Sequence, residues 1–335
     1  MSANIIEPAD YRAAVEAAAL FDLSGRGAVE LTGKDRVGFL NNFCTNDLLK
    51  TAPGAGCEAF LTTNQARIVA WLQIIVIADH VMVTAESGLA QKIIAYLERF
   101  LISEDVQLTD RSNDLAQFLI TGPRAESILR AVGASALALD APWLHREGTI
   151  AGAAVRLIRR DWLGLPGYFL FLEQGRAREV TELLIASGAT LGTPPAYEAL
   201  RLEAGLPAYG PDIDESNLPQ EVNRMAQAIS FTKGCYVGQE TVARIHALGH
   251  VNRVRVGFKL ALDIDRDTPL QMAGRLLKEG GEVGKITSLA WSPVLATPLA
   301  MGYIRREHSA PATQLQVELN GSLTSAEVTP WPRTS

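Results

Sequence analysis

Short runs of apolar and β-branched residues alternate with stretches of helical apolar spacing along the first 190 residues. The runs predict β-strands, at 28–31, 58–62, 68–78, 81–84 and 118–121. The stretches with apolar residues three and four apart predict helices, at 34–42, 89–100 and 124–132. Because the elements alternate without the regular repeat of a doubly wound sheet, the pattern favours an α+β fold.

The pattern changes twice in the second half of the chain. A Gly-Thr-Pro-Pro segment at 192–195 predicts a break, followed by a helix at 197–204 that Gly205 ends. Another helix is expected at 239–248. From residue 251 onward the pattern is of the strand type only, which predicts a separate C-terminal β-domain. Gly, Pro and Asp turns separate its predicted strands, at 251–260, 282–289, 300–304 and 315–319.

The composition of the 335 residues is that of a folded protein with room for two or three domains, with 47% hydrophobic and 20% charged residues. A net charge of −6 provides no basic surface for duplex DNA, which is not an expected partner. The longest apolar run, at 68–78, has about half of the roughly 20 residues that span a bilayer, so it predicts a buried strand and no membrane segment. The N-terminus has acidic residues where an export signal is basic and apolar, which favours a cytoplasmic location.

The most distinctive segment is the octapeptide Lys-Gly-Cys-Tyr-Val-Gly-Gln-Glu at 233–240. Its cysteine, Cys235, lies between two glycines and just before a predicted helix, whose free N–H groups carry partial positive charge. Lys233 and Arg244 add two cationic side chains to the same segment. These surroundings favour the thiolate over the thiol, so Cys235 is a candidate nucleophile or soft ligand.

Two other interpretations of this cysteine stay open. In the first, Cys235 is a small apolar residue in a structural turn. In the second, it forms a Cys/His pair with His246 or His250, although no oxyanion motif accompanies it. The two histidines have the spacing of metal ligands on one helix, but Gly249 is expected to end that helix first, and no metal is expected. The three cysteines form no Cys-x-x-Cys pair, which argues against a resident iron-sulfur cluster.

Two further polar segments are candidate ligand sites. Glu203 stands near the end of the predicted helix at 197–204, where its carboxylate can accept hydrogen bonds from the N–H edge of a heterocycle. Asn46 belongs to a polar segment at 41–47 that follows a predicted helix. A solvated helix face and simple helix capping explain the two segments as well as ligand binding does. No Gly-x-Gly-x-x-Gly, Walker or His-Glu-x-x-His motif supports a nucleotide-binding or zinc peptidase class.

The octapeptide and the Val-Ala-Arg-Ile-His segment at 242–246 together resemble the signature of the YgfZ family of folate-binding proteins. The resemblance covers nearly the whole chain and includes further segments, at 31–36, 39–40, 45–47, 201–205, 219–221, 284–288 and 292–293. That family is similar in fold to the T-protein of the glycine cleavage system (GcvT), a tetrahydrofolate-dependent aminomethyltransferase. The resemblance implies an α+β, three-domain GcvT-like fold around a central folate cavity, with a small C-terminal β-barrel.

The resemblance also implies domain boundaries and a set of functional residues. Residues 1–250 are expected to form two interwoven α+β folate-binding domains, divided near 115 and 195, and residues 251–330 to form the barrel. Tetrahydrofolate is the implied cofactor. Its implied binding residues are Asn46, Gln65, Glu203 and Arg244. The implied catalytic residues are Cys235 and Lys233.

The function that this resemblance implies is the assembly or repair of iron-sulfur proteins. It includes support of the iron-sulfur enzymes that thiolate tRNA, with Cys235 as the essential thiol. The implied partners are folate and iron-sulfur enzymes or assembly proteins, and the chain is expected to be a monomer.

Aminomethyltransferase activity of the T-protein kind is the main alternative. The catalytic aspartate of the T-protein lies in an Asp-Asp-Leu segment that aligns with 70–72 of this chain, where Ala70 and Trp71 replace both acids. A transferase would then need a relocated base, because the acid/base group is absent from its usual position. A non-catalytic folate sensor or a tRNA-binding accessory protein is the third alternative.

Overall fold

The computed structural model describes residues 8–134, 139–249, 251–262 and 274–333, so His250 lies outside the described residues. Within these ranges the α-helices are α1 (Ala9–Glu16), α2 (Arg36–Asn41), α3 (Ala90–Glu98), α4 (Ala125–Ala131), α5 (Ala177–Ala186), α6 (Pro194–Glu203), α7 (Met225–Ala228) and α8 (Gln239–Leu248). The five helices predicted from apolar spacing are confirmed, with small shifts at their ends. Of the helices in the described ranges, none is long and apolar enough to cross a membrane.

The first sheet is antiparallel and has the strand order β3-β4-β5-β2-β6. Its strands are β2 (Gly27–Thr32), β3 (Ala55–Thr62), β4 (Ile68–Val76), β5 (Val81–Ala85) and β6 (Gln107–Asp110). Helices α2 and α3 pack on one face of this sheet and share its hydrophobic core. The strands predicted in this part of the sequence are confirmed.

The second sheet has the order β11-β1-β7-β10-β9-β8. Its strands are β1 (Ala19–Asp22), β7 (Leu115–Thr121), β8 (His145–Ile150), β9 (Ala153–Arg159), β10 (Gly167–Glu173) and β11 (Thr190–Leu191). Strand β11 is parallel to β1, whereas the other neighbours are antiparallel. Of these strands the sequence predicted β7 alone, at 118–121, and it missed β1, β8, β9, β10 and β11. Exposed charged residues such as Arg146 and Glu147 interrupt the apolar pattern of β8.

The C-terminal part forms a closed barrel, as the family resemblance implies, in the region where the strand-only pattern predicts a β-domain. Its order is β12-β15-β14-β13-β16-β17. The strands are β12 (Arg253–Leu260), β13 (Gly274–Lys278), β14 (Gly281–Ser292), β15 (Thr297–Arg305), β16 (Gln314–Leu319) and β17 (Ser322–Thr329). Alternate apolar residues such as Phe258, Ile286 and Val317 fill the interior of the barrel.

Strand β4 is buried on both faces, which explains its continuous apolar sequence. Ala70, Leu72 and Ile74 face the core of the first sheet. Trp71 and Ile75 face a larger core that the first sheet shares with the second sheet and α6. Because successive side chains of a strand point to opposite faces, β4 places Trp71 between the two sheets. The candidate functional site lies there.

Candidate functional site

A group of charged and aromatic side chains lies between the first and second sheets, and we call it the central cluster. Strands β3 and β4 contribute three members, the β9–β10 connection contributes two, and the segment before α7 contributes one. The members are Glu58, Trp71, Gln73, Arg160, Trp162 and Arg224. Glu58 is the direct cross-strand partner of Gln73 on β4. Residues separated by more than 100 positions therefore meet at one place.

Two tryptophans form the flat surface of the central cluster. Trp71 is 1% exposed and stacks on Trp162, with ring centroids 5.3 Å apart and an interplanar angle of 18°. The guanidinium of Arg160 lies 5.0 Å from the Trp162 ring, and that of Arg224 lies 5.2 Å from the Trp71 ring. Such cation–π contacts become stronger where water is excluded. Position 71 therefore supplies an aromatic face for cations and no acid/base group.

Glu58 is the fully buried carboxylate of the central cluster. Its Oε2 accepts a hydrogen bond from Arg160 Nη2 at 3.1 Å, and its Oε1 accepts one from Arg224 Nη2 at 2.7 Å. Burial lowers the pKa of Arg160 to about 10, and the charge of Glu58 opposes this shift. Two guanidiniums therefore share one buried carboxylate, and their contacts fix the position of Glu58.

Three N–H donors of the central cluster have no hydrogen-bond partner among the described residues. They are Trp71 Nε1, Gln73 Nε2 and Arg160 Nε, and all three are buried. The amide of Gln73 is held in place because its Oε1 accepts a hydrogen bond from Arg26. A buried donor without an acceptor costs about 1–3 kcal/mol. The central cluster is therefore suited to a ligand that carries hydrogen-bond acceptors.

The carboxylate of Glu203, at the end of α6, is fully buried and already has partners on both oxygens. Its Oε2 accepts hydrogen bonds from the Tyr11 hydroxyl at 2.7 Å and from Arg333 Nε at 2.6 Å. Its Oε1 accepts one from the Ser292 hydroxyl at 2.6 Å. Burial and the charge of Glu203 raise the pKa of Tyr11. The carboxylate thus links α1, the barrel and the C-terminal segment. A ligand that binds Glu203 has to compete with the hydrogen-bond donors that already occupy its oxygens.

Asn46 and Lys233 meet at the end of α2. Lys233 Nζ donates hydrogen bonds of 2.6–2.7 Å to three main-chain oxygens, those of Asn41, Cys44 and Asn46. These bonds use all three N–H groups of the ammonium. Burial lowers the pKa of Lys233. Asn46 Nδ2 in turn donates to the main-chain oxygen of Glu58 at 2.9 Å, so Asn46 lies directly behind the central cluster.

The other residues singled out from the sequence lie at the surface. Gln65 is exposed in the turn between β3 and β4, and Arg244 is exposed on α8. Cys235 is exposed in the turn that leads into α8. Gly238 begins this helix with a φ of 89°, and a Cβ there would lie 2.5 Å from the main-chain oxygen of Thr63. The glycine therefore allows the α8 turn to approach the β3–β4 turn closely.

The three cysteines differ in their surroundings. Cys235 is exposed, Cys57 is partly buried and Cys44 is buried. Burial raises the pKa of Cys44 to about 11, and it also raises the pKa of Cys57. The charge of Lys233 acts against both of these shifts. The lysine that neighbours Cys235 in sequence thus places its ammonium at the end of α2, on the main-chain oxygen of Cys44.

Sequence reasoning missed Glu58, Arg160 and Arg224 as site residues. One signal was available, because Glu58 is a charged residue within a predicted apolar strand. A buried charge requires a partner, but the sequence does not show that Arg160 and Arg224 provide it. Within the described ranges, no group of three or more His, Cys, Asp or Glu side chains is placed to hold a metal ion.

Comparison with known protein families shows which family the chain belongs to. The family described as the GCVT N-terminal domain matches residues 4–233, and the glycine cleavage T-protein C-terminal barrel domain matches residues 253–333. The chain belongs to the glycine cleavage T-protein family. The GcvT-like fold that the sequence motifs implied is therefore confirmed. Membership of the narrower YgfZ family stays a prediction.

Several relatives of this chain are named aminomethyltransferase. The one from Symbiobacterium thermophilum is 30% identical, with 98% of this chain and 89% of the relative covered. The one from Herpetosiphon aurantiacus is 31% identical, with 89% of this chain and 81% of the relative covered. The crystal structure of glycine cleavage system aminomethyltransferase T from Bartonella henselae matches with a TM-score of 0.84 and 24% identity, over 97% of this chain and 88% of that chain. This last likeness shows the shared fold.

Proposed function

We propose that this chain binds tetrahydrofolate at the central cluster and acts as a tetrahydrofolate-dependent one-carbon transferase of the aminomethyltransferase class. Its family and the names of its relatives support this class. The observation that carries the proposal is the set of three unpartnered N–H donors beside stacked tryptophans in a buried site. These donors would pair with the hydrogen-bond acceptors of a bound ligand.

The residues of the central cluster fit a folate. Its pterin ring carries a carbonyl oxygen and the ring nitrogen N1 as acceptors, and the reduced ring carries the one-carbon unit. Trp71 and Trp162 stack on each other beside these donors, so a pteridine ring would bind next to an aromatic pair. Trp71 Nε1, Gln73 Nε2 and Arg160 Nε offer donors to its acceptors. Asn46 supports the site from behind through Glu58.

Glu58 is the relocated carboxylate of this proposal. Trp71 supplies no acid/base group, and Glu58 is the fully buried carboxylate of the same cluster. Because Arg160 and Arg224 hold both of its oxygens in place, its expected role is to accept a hydrogen bond from a substrate N–H group. The two guanidiniums also fix its position, which keeps the carboxylate oriented without a ligand.

Tetrahydrofolate is expected to bind saturably and to change the fluorescence of the buried tryptophans. Replacing Arg160 with methionine removes one unpartnered donor and one cation over Trp162, so the affinity should fall at least about tenfold. Arg178→Met is the matched control, because Arg178 is an exposed residue of α5. Isothermal titration calorimetry of the three proteins measures the change.

The same proteins are then assayed for methylenetetrahydrofolate formation from an aminomethyl donor. Turnover that is lost in Arg160→Met and kept in Arg178→Met supports the transferase. Saturable binding without turnover contradicts the transferase step, and the absence of binding contradicts the folate site.

A second candidate function is favoured by the exposure of Cys235. In this proposal the chain is a folate-dependent factor of the YgfZ type, and iron-sulfur enzymes or assembly proteins are its partners. An exposed thiol on a surface turn can reach a partner protein, whereas Cys44 is buried. The two candidates differ in their dependence on this thiol.

Iodoacetamide is expected to alkylate Cys235 at least about tenfold faster than Cys44 or Cys57, because burial hides these two thiols and raises their pKa values.

Cys235→Ser should lower the free energy of unfolding by about 1 kcal/mol or less. If the second candidate is right, iron-sulfur enzyme activity falls in cells that carry only Cys235→Ser and is kept with Cys57→Ser. Full activity with Cys235→Ser contradicts it.

A further inference from the structure

A cleft of about 380 Å³ lies between the C-terminal turn of α8, the segment before α7 and the rim of the barrel. We call it the barrel cleft and define it by Gln220, Ile245, His246, Val254 and Arg306. Its volume lies within the range of small-molecule pockets. The function proposed above makes no use of it.

The barrel cleft is separate from the central cluster, although one short segment borders both. Asn223 and Met225 line the cleft, whereas the side chain of Arg224 between them points to Glu58 on the other side. The main chain at 223–225 therefore divides the two sites. A molecule in the cleft would be distinct from a folate at the central cluster.

The charge of the cleft favours an anion. Arg306 is exposed, and its Nη1 donates to the main-chain oxygen of Gly249 at 3.2 Å. No ion pair of this guanidinium occurs among the described residues. The lining that the structure describes includes His246 as a second basic side chain and no carboxylate. A carboxylate is a natural partner for the planar donor fork of an arginine.

The other residues that line the barrel cleft indicate which apolar and hydrogen-bonding groups its ligand would carry. Met225, Ile245 and Val254 give it apolar surface, and His246 is held by a stack on Phe231 with ring centroids 3.9 Å apart. Gln220 is 6% exposed, and its Nε2 is committed to the main-chain oxygen of Val242 at 2.8 Å. This contact leaves the buried Gln220 Oε1 without a partner in the described chain. A ligand N–H or O–H group would satisfy that oxygen.

We infer that the barrel cleft is a second binding site, for a small carboxylate-bearing molecule with an apolar body and one hydrogen-bond donor. Arg306 binds the carboxylate, the aliphatic wall takes the apolar body, and Gln220 receives the donor. The inference stands independently of the folate proposal, because the two sites share no side chain.

N-acetyl-L-leucine is a suitable probe, because it has a carboxylate, one amide N–H group and an isobutyl body. N-acetyl-L-leucinamide is the matched probe without the charge. The full-length protein is titrated with each probe, and amide signals are followed by two-dimensional NMR. At millimolar concentration the acid should cause saturable shifts of the amide signals of residues 245–249 and 306–309. The amide should bind at least about tenfold more weakly.

The variant Arg306→Met should lower the affinity for the acid to that for the amide. Arg305→Met is its control, because Arg305 is an exposed neighbour on β15 outside the cleft lining. Tetrahydrofolate at equimolar concentration should leave the probe in place. Equal binding of acid and amide, unchanged binding to Arg306→Met, displacement by tetrahydrofolate, or no saturable shifts at millimolar probe would each overturn the inference.

Discussion

Replacing Glu58 with glutamine is expected to lower the free energy of unfolding by about 3–5 kcal/mol. The change keeps the shape of the side chain but leaves the guanidiniums of Arg160 and Arg224 in a buried site without their counter-charge. Removal of one partner from a buried ion pair costs far more than the pair itself contributes, because the remaining charge stays desolvated. Urea unfolding at pH 7, followed by circular dichroism, measures the loss.

Two further variants test whether the loss of stability in Glu58→Gln comes from the buried ion pairs. Glu126→Gln removes a carboxylate from an exposed pair with Arg130 on α4, and it should cost less than about 0.5 kcal/mol. The double variant Glu58→Gln/Arg160→Met should recover part of the stability, because it also removes one of the uncompensated charges. A loss below about 1 kcal/mol for Glu58→Gln would show that the cluster is not held by its charge balance.

Replacing Lys233 with methionine is expected to destabilise the protein by about 3 kcal/mol. The apolar chain of methionine can fill the space, but three main-chain oxygens at the end of α2 lose their charged donor. These oxygens lie at a turn that also carries Cys44 and Asn46, so the change should loosen the support of the central cluster. Urea unfolding and the affinity for tetrahydrofolate both report on it.

Lys50→Met is the control for Lys233→Met, because the Lys50 side chain is 71% exposed and should contribute little to stability.

The alkylation rate of Cys235 in Lys233→Met tests whether Lys233 activates this thiol. The sequence predicts a slower reaction, because Lys233 neighbours the thiol in the chain. The observed bonds of its ammonium to the α2 turn instead predict an unchanged rate. A stable Lys233→Met protein with slow alkylation would favour the sequence-based interpretation.

Part of the fold follows from the sequence where local periodicity is strong, although elements such as α1, α5, β9 and β10 were not predicted. The continuous apolar run that contains Trp71 predicts a buried strand, and β4 is buried on both faces. The predicted helix at 239–248 corresponds to α8, which glycines with positive φ border at both ends. The change to a strand-only pattern at residue 251 indicates the C-terminal β-domain, which is the closed barrel of β12 to β17.

The candidate site required the tertiary structure, because its partners come from distant parts of the chain. The sequence places Lys233 beside Cys235, but the fold turns its ammonium to the end of α2. The sequence also leaves Glu58 as an unexplained charge in an apolar strand, whereas packing of the two sheets brings Arg160 and Arg224 to it. Periodicity shows which face of an element is buried. Which charges meet across that face depends on how the sheets pack, and only the tertiary structure shows that.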